Sequence, residues 1–200
     1  MRSKLDKNII FKKEKTLSSF FCNQLIEYFD FMSLNQSGTC GDGRTIDRSV
    51  KNSLDISINL EEDKSPLIQT LKIKVFNEIK LMKKNPIFSS LSEISPWKVY
   101  YKFNIQKYPL NGGFYKIHCE QGSNKESVNR IFAWMIYLND ITDKGGTYFP
   151  NQNLTLKPRA GDLYIWPASW SHMHCGIPSP SQIKYIATGW GNYLDPEMTP

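Results

Sequence analysis

The sequence lacks the features that mark membrane and secreted proteins. Its longest apolar run, Phe132–Leu138, is far short of the ~20 apolar residues that a membrane-spanning helix needs. The N-terminus has no apolar segment of the kind found in secretory signals, and the chain has no repeats or low-complexity tracts. We therefore expect a soluble, cytoplasmic protein that does not act on a membrane.

Positive charge is in modest excess, and most of it is local. The net charge is +6, but residues 1–15 hold six basic side chains against two acidic ones, which leaves only +2 on the rest of the chain. A short basic segment can bind nucleic acid or a membrane, or can simply increase solubility. Because the body of the protein offers no basic groove, nucleic acid is not an expected partner.

Cysteine is limited to four residues with no CxxC pair, namely Cys22, Cys40, Cys119 and Cys175. A reducing compartment would leave them as thiols. Apolar residues make up 40% of the chain and aromatic residues 13%, which is enough for a packed core and argues against wholesale disorder. A length of 200 residues suits one compact domain.

The first part of the chain has a helical pattern in two places. Apolar residues recur with a period near 3.6 in Thr16–Phe31 and again in Leu67–Met82, which predicts two helices. Between them, the glycine-rich segment Ser37–Arg44 predicts a turn region, either an ordinary surface loop or a mobile loop over a substrate. The next segment, Leu54–Leu60, is strand-like.

From Trp97 onward the pattern changes to short β-rich runs separated by turn signals. The predicted strands are Val99–Tyr108, Ile131–Leu138, Leu163–Trp166 and Lys184–Trp190. Many short strands at this spacing are typical of a sandwich or jelly roll. We predict a mainly β (α+β) fold in a single domain, residues 1–200: a double-stranded β-helix (jelly roll) over about 96–195, buttressed by α-helices within about 1–95.

Histidine is rarer still, and its placement is informative. The only three, His118, His172 and His174, all fall in the β-rich part, and His118 is followed two residues later by Glu120. Residues i and i+2 of a strand share a face, so His118 and Glu120 can converge on one ion. Two histidines and one carboxylate that leave coordination positions open are typical of non-haem Fe(II) oxygenases. The alternative is that these are ordinary polar or core residues.

Residues 106–190 resemble the catalytic core of the prolyl 4-hydroxylase branch of the Fe(II)- and 2-oxoglutarate-dependent oxygenases. The residues that carry the resemblance are Tyr108, Gly112-Gly113-Phe114-Tyr115, His118-Cys119-Glu120, Arg130, Tyr137-Leu138-Asn139-Asp140, Gly145-Gly146-Thr147-Tyr148-Phe149-Pro150, Pro158-Arg159-Ala160-Gly161, His174, Pro178, Lys184-Tyr185, Thr188 and Trp190. A series of motifs in this order is far more specific than the three metal-binding candidates alone. It implies a jelly-roll dioxygenase that binds Fe(II).

Strand alternation would put His172 and His174 on the same face, so it does not decide which of them binds the metal. In the family, a proline follows the second histidine by four positions and a basic residue follows it by about ten. Pro178 and Lys184 satisfy both spacings from His174. The resemblance therefore implies a metal site of His118, Glu120 and His174, with His172 placed beside it or on the substrate side.

The resemblance also assigns Lys184 to 2-oxoglutarate, whose second carboxylate needs a buried cation; the alternative is a surface lysine on a strand. By alternation one face of this strand would carry Lys184, Ile186, Thr188 and Trp190. The family implies that Tyr137 and Thr188 hydrogen-bond the same carboxylate and that Tyr108 lies near the end that chelates the metal. A buried tyrosine needs a hydroxyl partner in any case.

The family further places two positions beside the substrate proline, here Tyr115 and Trp190, and Arg130 is a third candidate substrate residue. Tyr115 and Trp190 are equally good as core aromatic residues. Arg130 would either shape the entrance or pair with an acidic side chain.

One position departs from the family pattern: the usual carboxylate ligand is aspartate, whereas this chain has Glu120. Glutamate is longer by one methylene, so either the backbone lies farther back or the carboxylate binds in another rotamer. Cys119 and Cys175 flank the ligands, which raises the alternative of a thiolate-rich zinc site. As strand neighbours of His118 and His174, however, the two thiols should face away from the metal.

The expected activity is a dioxygenase that hydroxylates a protein or peptide, with C4 of proline as the target implied by the resemblance. It would use Fe(II), 2-oxoglutarate and O₂, with ascorbate to keep the iron reduced. The alternatives are hydroxylation of another side chain or of a free amino acid, a metal-binding isomerase, and a jelly-roll binding module without catalysis. A module that does not bind 2-oxoglutarate has no need for a buried Lys184.

Overall fold

The computed structural model describes residues 4–5, 9–32, 36–40 and 45–194. The three helices are α1 (Ser19–Phe31), α2 (Pro66–Met82) and α3 (Pro86–Ile94). The strands are β1 (Lys4–Leu5), β2 (Phe11–Lys13), β3 (Gln36–Ser37), β4 (Leu54–Asn59), β5 (Trp97–Tyr108), β6 (Arg130–Tyr137), β7 (Thr147–Phe149), β8 (Leu154–Leu156), β9 (Leu163–Pro167), β10 (Cys175–Gly176) and β11 (Lys184–Tyr193). Residues 41–44 of the predicted turn region and residues 1–3 and 6–8 of the basic N-terminus lie outside the described residues.

Both predicted helices form, and their starts are set by serine caps. Ser18 accepts a hydrogen bond from the backbone of Phe21, so α1 begins three residues later than the apolar pattern predicts. Ser65 caps α2 in the same way, and Pro66 occupies the first position, where its missing N–H costs nothing. The third helix, α3, was not predicted, because its nine residues are too few for a clear period.

The strands form two antiparallel sheets. The larger has eight strands in the order β1-β2-β9-β6-β11-β5-β4-β3, and the smaller has three in the order β10-β7-β8. At the centre of the large sheet, β11 pairs with β5 on one side and with β6 on the other. The central neighbours β2-β9, β9-β6, β6-β11 and β11-β5 are not consecutive along the chain, as expected for a jelly roll rather than for a series of hairpins.

The two faces of the large sheet have different partners. One face packs on the helices in a core that includes Phe103, Phe132, Trp134 and Ile136 from the sheet and Leu25, Phe29, Leu71 and Val75 from the helices. The opposite face packs with the small sheet through a second cluster that includes Tyr108, Met135, Tyr137, Phe149, Leu156, Trp166, Ile186 and Trp190. Strand alternation thus places the helices on one side and the polar site on the other.

Gly189 shows how tightly the helix-side face is packed. A Cβ at this position would lie 2.6 Å from the indole ring of Trp134, which no real side chain tolerates without a shift. Its neighbours in sequence, Thr188 and Trp190, point to the opposite face. The small residue therefore lets β11 and β6 pair while Trp134 fills the core.

In the part of the chain that the structure describes, no helix has the length and apolarity to cross a membrane. All four cysteines are free thiols.

Candidate active site

Three side chains converge where the two sheets meet. His118, Glu120 and His174 each offer a ligand atom, and these atoms lie within 4.8 Å of one another. Oε1 of Glu120 lies 3.3 Å from Nε2 of His174 and 4.0 Å from Nε2 of His118. The structure therefore brings together the three residues that the sequence predicts as metal ligands.

The backbone around these residues differs from the predicted strand. His118 and His174 form an isolated antiparallel bridge in which each N–H donates to the carbonyl of the other, at 2.9 and 2.8 Å. The N–H of Glu120 donates to the carbonyl of Ala168 at 3.0 Å. Because two loops are joined by this bridge, the separation of His118 and His174 is set by backbone hydrogen bonds rather than by a long ladder.

The orientation of both imidazole rings is set by hydrogen bonds at Nδ1, the ring nitrogen that does not face Glu120. Nδ1 of His118 lies 2.8 Å from the carbonyl of Lys116, and Nδ1 of His174 lies 2.9 Å from the carbonyl of His172. A carbonyl can only accept, so each Nδ1 carries a proton, and Nε2 is the ring nitrogen that can bind a metal. Metal-binding histidines are commonly held in this way.

His172 is not a member of this cluster. It ends a 3₁₀ turn, Trp170–His172, so the predicted strand through His172 and His174 is wrong. Its Nδ1 bonds the hydroxyl of Ser171 at 2.9 Å, and its ring lies edge-on to Phe149. The turn, which strand alternation could not anticipate, directs His172 and His174 to different surroundings.

The electrostatics of the cluster favour a cation. Burial, together with the neighbouring His174, lowers the pKa of His118 to about 4. Burial alone would raise the pKa of Glu120, but the hydrogen bond to His174 and the charges of His118, His174 and Arg130 hold it well below its usual range. At neutral pH the carboxylate is therefore charged and His118 is neutral, which are the states that a metal requires.

These residues fit Fe(II). Ligand atoms about 2.1 Å from one ion are at most about 4.2 Å apart, and Glu120 Oε1 meets that limit with both imidazole nitrogens. Two imidazoles and one carboxylate form the ligand set of non-haem Fe(II) sites that keep positions open. Within the described part of the chain, no other group of three such side chains comes together.

The cluster opens into a cavity of about 660 Å³. Its lining includes the cavity-side residues of the central strands, Gln106, Tyr108, Tyr137, Lys184, Ile186, Thr188 and Trp190, together with Thr147 of the small sheet. The predicted shared face of Lys184, Ile186, Thr188 and Trp190 is thus present. Phe149 and Trp166 pack against the ring of His174 and against each other.

Lys184 is a buried cation with no acidic partner among the described residues. Its side chain is 4% exposed, and Nζ donates to the carbonyl of Gly145 at 3.0 Å. Nζ also lies 4.7 Å from the centre of the Tyr108 ring. Burial lowers the pKa of Lys184 to about 8. Because a buried ammonium is costly unless it is paired, this arrangement suits an anionic ligand in the cavity.

Three hydroxyl groups lie on this wall of the cavity. The Tyr137 hydroxyl and Oγ1 of Thr147 are 2.8 Å apart, and Oγ1 of Thr188 donates to the carbonyl of Trp134 at 3.0 Å. Tyr137 and Thr188 were predicted to contact 2-oxoglutarate, whereas a role for Thr147 was missed. Thr147 lies in a short strand of three residues, and only its pairing with the distant Tyr137 identifies it.

A second polar group in the cavity was not predicted. Lys51 pairs with Oδ2 of Asp55 at 2.7 Å, and the same oxygen accepts from the amide of Gln106 at 2.8 Å. Oε1 of Gln106 in turn accepts from the hydroxyl of Tyr108 at 2.8 Å. These four residues, the Lys51–Tyr108 chain, join β4 and the loop before it to the cavity wall. Lys51 and Asp55 are ordinary in sequence, so nothing there marked them.

The predicted substrate residues have different environments. Trp190 and Arg130 line the cavity and contact Glu120: Nε1 of Trp190 donates to Oε2 at 2.8 Å, and Nη1 of Arg130 lies 3.6 Å from the same oxygen. Of the two predictions for Arg130, pairing with an acidic side chain is the one observed. Tyr115 does not line the cavity and donates to the carbonyl of Asn111, so its contact with substrate stays a prediction. Phe114 lines the cavity instead and stacks on His118.

The two flanking thiols are not part of the cluster. Sγ of Cys119 donates to the carbonyl of Gln121 at 3.1 Å, and Cys175 pairs its backbone with Tyr148 in the small sheet. The group of possible metal ligands contains no sulfur. A thiolate-rich zinc site is therefore not formed here.

Comparison with known sequences identifies the same region. A profile described as the 2OG-Fe(II) oxygenase superfamily matches residues 103–192. A putative prolyl 4-hydroxylase of Acanthamoeba polyphaga mimivirus is 39% identical over 69 residues, which cover 30% of this chain and 28% of that protein. Prolyl 4-hydroxylase subunit alpha-1 of Gallus gallus is 26% identical over 94 residues, covering 40% of this chain and 18% of the relative. The matched stretch spans less than a third of either relative.

Solved structures share the fold across nearly the whole chain. A viral collagen prolyl hydroxylase from Paramecium Bursaria Chlorella virus-1, in complex with 2OG, has a TM-score of 0.68 at 17% identity, covering 95% of this chain and 99% of that one. A prolyl hydroxylase from Trichoplax adhaerens, bound to a peptide of the hypoxia inducible factor oxygen degradation domain, has a TM-score of 0.74 at 17% identity, with coverages of 96% and 86%. The predicted jelly roll with helical support is confirmed.

Proposed function

We propose that this chain is a dioxygenase of the 2OG-Fe(II) oxygenase superfamily, in its prolyl 4-hydroxylase-like branch, and that it hydroxylates a protein or peptide, with C4 of proline as the target. The observation that carries the proposal is one cavity that contains both the cluster of His118, Glu120 and His174 and the buried ammonium of Lys184, which no acidic side chain of the described residues pairs with. The reaction would consume 2-oxoglutarate and O₂ and release succinate and CO₂.

The three clustered residues would hold Fe(II), which supplies the activation of O₂ for attack on an unactivated C–H bond. The chain's own contribution is to hold each ring by its Nδ1 bond so that both Nε2 atoms are aimed at the position between them and Glu120. Phe149 and Trp166 pack on the ring of His174 and would exclude water from the side of that ring that faces the apolar core between the two sheets. No general base is required for this chemistry, and His172 is not assigned that role.

Lys184 would bind the carboxylate of 2-oxoglutarate that is remote from the metal. A carboxylate bound there restores a partner to the buried ammonium and is expected to raise its pKa again. Tyr137, Thr147 and Thr188 supply hydroxyl groups on the same wall, which can donate to that carboxylate after small rotations. Tyr108 would lie on the side nearer the metal; its ring is 4.7 Å from Nζ of Lys184, and its hydroxyl donates to Gln106.

The proposed substrate class rests on the relatives. One solved neighbour is bound to a peptide, and the curated relatives are named as prolyl 4-hydroxylases. In this chain the cavity extends from the metal cluster along β4 and β5 to Ser57, Lys102 and Asn104. This polar extension could accommodate an extended backbone beside the reacting side chain. Ascorbate is proposed as the reductant that keeps the iron active.

The experiment that tests the proposal measures succinate formed from 2-oxoglutarate by the Fe(II)-loaded protein with ascorbate, with and without a proline-rich peptide. We expect peptide to increase succinate and to gain one oxygen atom by mass spectrometry. His174→Ala is the matched inactive control. Metal and 2-oxoglutarate binding without turnover on any peptide would contradict the proposal and support the binding-module alternative. Turnover of a free amino acid, without turnover of any peptide, would show that the substrate is a free amino acid rather than a protein or peptide.

A further inference from the structure

The two carboxylate oxygens of Glu120 have separate partners. Oε1 faces the two imidazoles, at 3.3 Å from His174 and 4.0 Å from His118. Oε2 points away from them and accepts a hydrogen bond of 2.8 Å from Nε1 of Trp190. A carboxylate that is held by one oxygen presents the other in a defined direction.

Arg130 completes the environment of the second oxygen. Its Nη1 donates to the backbone carbonyl of Glu120 at 3.1 Å and lies 3.6 Å from Oε2. Its guanidinium carbon lies 3.8 Å above the ring of Trp190. Arginine and tryptophan therefore support each other while both contact Glu120, in a region where the side chains of Arg130 and Glu120 are each only 15% exposed.

The length of glutamate is what allows this arrangement. Trp190 is on β11 and Arg130 begins β6, while Glu120 is held to the loop after β9 by the bond to Ala168. The extra methylene lets Oε2 reach the indole N–H while Oε1 still faces the imidazoles. An aspartate on the same backbone is shorter by about 1.5 Å, roughly one C–C bond, and cannot satisfy both directions.

We propose that Trp190 and Arg130 are positioning residues that hold Oε2 of Glu120, leave Oε1 to the metal, and adapt this site to glutamate where the family uses aspartate. The inference rests on the proposed metal site and adds to it the reason why Glu120 is functional there. It gives both residues a role that does not depend on contact with the substrate.

The first test is metal affinity, measured by calorimetry with Mn(II) on the otherwise intact, metal-free protein. Trp190→Phe removes the indole N–H and keeps an aromatic ring under Arg130, so we expect the dissociation constant for Mn(II) to rise about 10-fold, the usual effect of losing a ligand's outer partner. Arg130→Met should weaken binding further than Arg130→Lys, which keeps the charge.

Trp134→Phe is the matched control. Its indole N–H is buried and has no hydrogen-bond partner among the described residues, and its ring packs on the helix side of the sheet. This variant should lower the melting temperature as much as Trp190→Phe or more, and leave Mn(II) affinity within about twofold. A merely structural effect would weaken Mn(II) binding in both variants alike.

The decisive test combines Trp190→Phe with Glu120→Asp. Under the proposal, Glu120→Asp alone weakens Mn(II) binding in this chain. In the Trp190→Phe background the same substitution should weaken Mn(II) binding much less, because the hydrogen bond between Trp190 and Glu120 is already gone. Additive losses, or unchanged affinity in Trp190→Phe, would overturn the positioning role alone. Failure of the unmodified protein to bind Mn(II) would overturn the metal site as well, which separates the two conclusions.

Discussion

At the scale of single residues, the site depends on which histidine rings are oriented by a hydrogen bond at Nδ1. His118 and His174 are both bonded at Nδ1 to backbone carbonyls, whereas His172 is bonded at Nδ1 to a serine hydroxyl. A hydroxyl can donate or accept, so this bond does not dictate the tautomer of His172. Only the first two rings have Nε2 held in a fixed direction beside Glu120.

The difference predicts opposite effects for two alanine variants. His174→Ala should raise the dissociation constant for Fe(II) or Mn(II) by at least ~100-fold, because it removes a ligand rather than an outer partner. His172→Ala should leave metal affinity within a few-fold and lower stability, since His172 is buried and bonded within its turn. Anaerobic metal titration with parallel thermal melts checks both, and a reversal of the two affinities would refute the assignment.

Lys184 predicts a pH dependence of 2-oxoglutarate binding. Its pKa is lowered to about 8 by burial, so the ammonium is charged below pH 8 and is lost as the pH rises above it. Since the anion binds the charged form, its dissociation constant should change little from pH 6.5 to 7.5 and rise about 10-fold between pH 7 and 9, most of it above pH 8.

The measurement is 2-oxoglutarate titration of the Mn(II)-loaded protein across that range. Lys184→Met should bind about 10- to 100-fold more weakly at pH 7, the worth of a charge-assisted hydrogen bond, and lose the pH dependence. Mn(II) affinity in the same variant is the control and should not change, because Lys184 contacts no ligand of the cluster. A slope that survives in Lys184→Met would show that another group titrates.

At the scale of elements, the central strand β11 carries the site and the core on opposite faces. Lys184, Thr188 and Trp190 face the cavity, while Ala187 and Gly189 face the helix side. The outer strand β4 is joined to this centre by the Lys51–Tyr108 chain, which crosses from β4 to β5. Outer elements are therefore linked by hydrogen bonds to Tyr108 on the cavity wall, without being part of the cluster of His118, Glu120 and His174.

The Lys51–Tyr108 chain contains one buried ion pair, and removing one of its two charges should lower the free energy of unfolding considerably. Asp55→Asn leaves the ammonium of Lys51, which is only 5% exposed, without its carboxylate, and breaking a buried pair typically costs about 3–5 kcal/mol. Because Asp55 is 14% exposed, we expect the lower end, about 3 kcal/mol, in the free energy of unfolding by urea.

The matched control is the double variant Lys51→Met/Asp55→Asn. It removes the charge that would be stranded, so most of the lost stability should return. The amide oxygen of the new asparagine can still accept from Gln106, which keeps Tyr108 oriented. Equal destabilisation of the single and double variants would show that packing, rather than the charge pair, accounts for the loss.

At the scale of the whole molecule, the helices and the small sheet pack on opposite faces of the large sheet. The helix-side core fixes the strand positions, and the small sheet closes over the opposite face around the cavity. The residues matched by the oxygenase profile, 103–192, include every residue of the metal cluster. Residues before that stretch supply the Lys51–Asp55 pair and part of the cavity lining. The complete pocket therefore needs more of the chain than the shared core.

Much of this could be predicted from the sequence because it depends on local periodicity. A period near 3.6 predicted α1 and α2, and alternation in β11 predicted a shared face for Lys184, Thr188 and Trp190. The order of motifs along the chain indicated the family and the three ligands. The predicted roles of the individual site residues remain predictions until binding is measured.

Tertiary structure alone decided what depends on contacts between distant segments. Strand alternation treated His172 and His174 as equivalent, but a 3₁₀ turn and the bridge to His118 separated them. Thr147 and Asp55 acquire their importance from Tyr137 and Gln106, which lie on other strands, 10 and 51 residues away. Periodicity describes which way a side chain points from its own strand; only the packing of strands against loops determines which atom it meets.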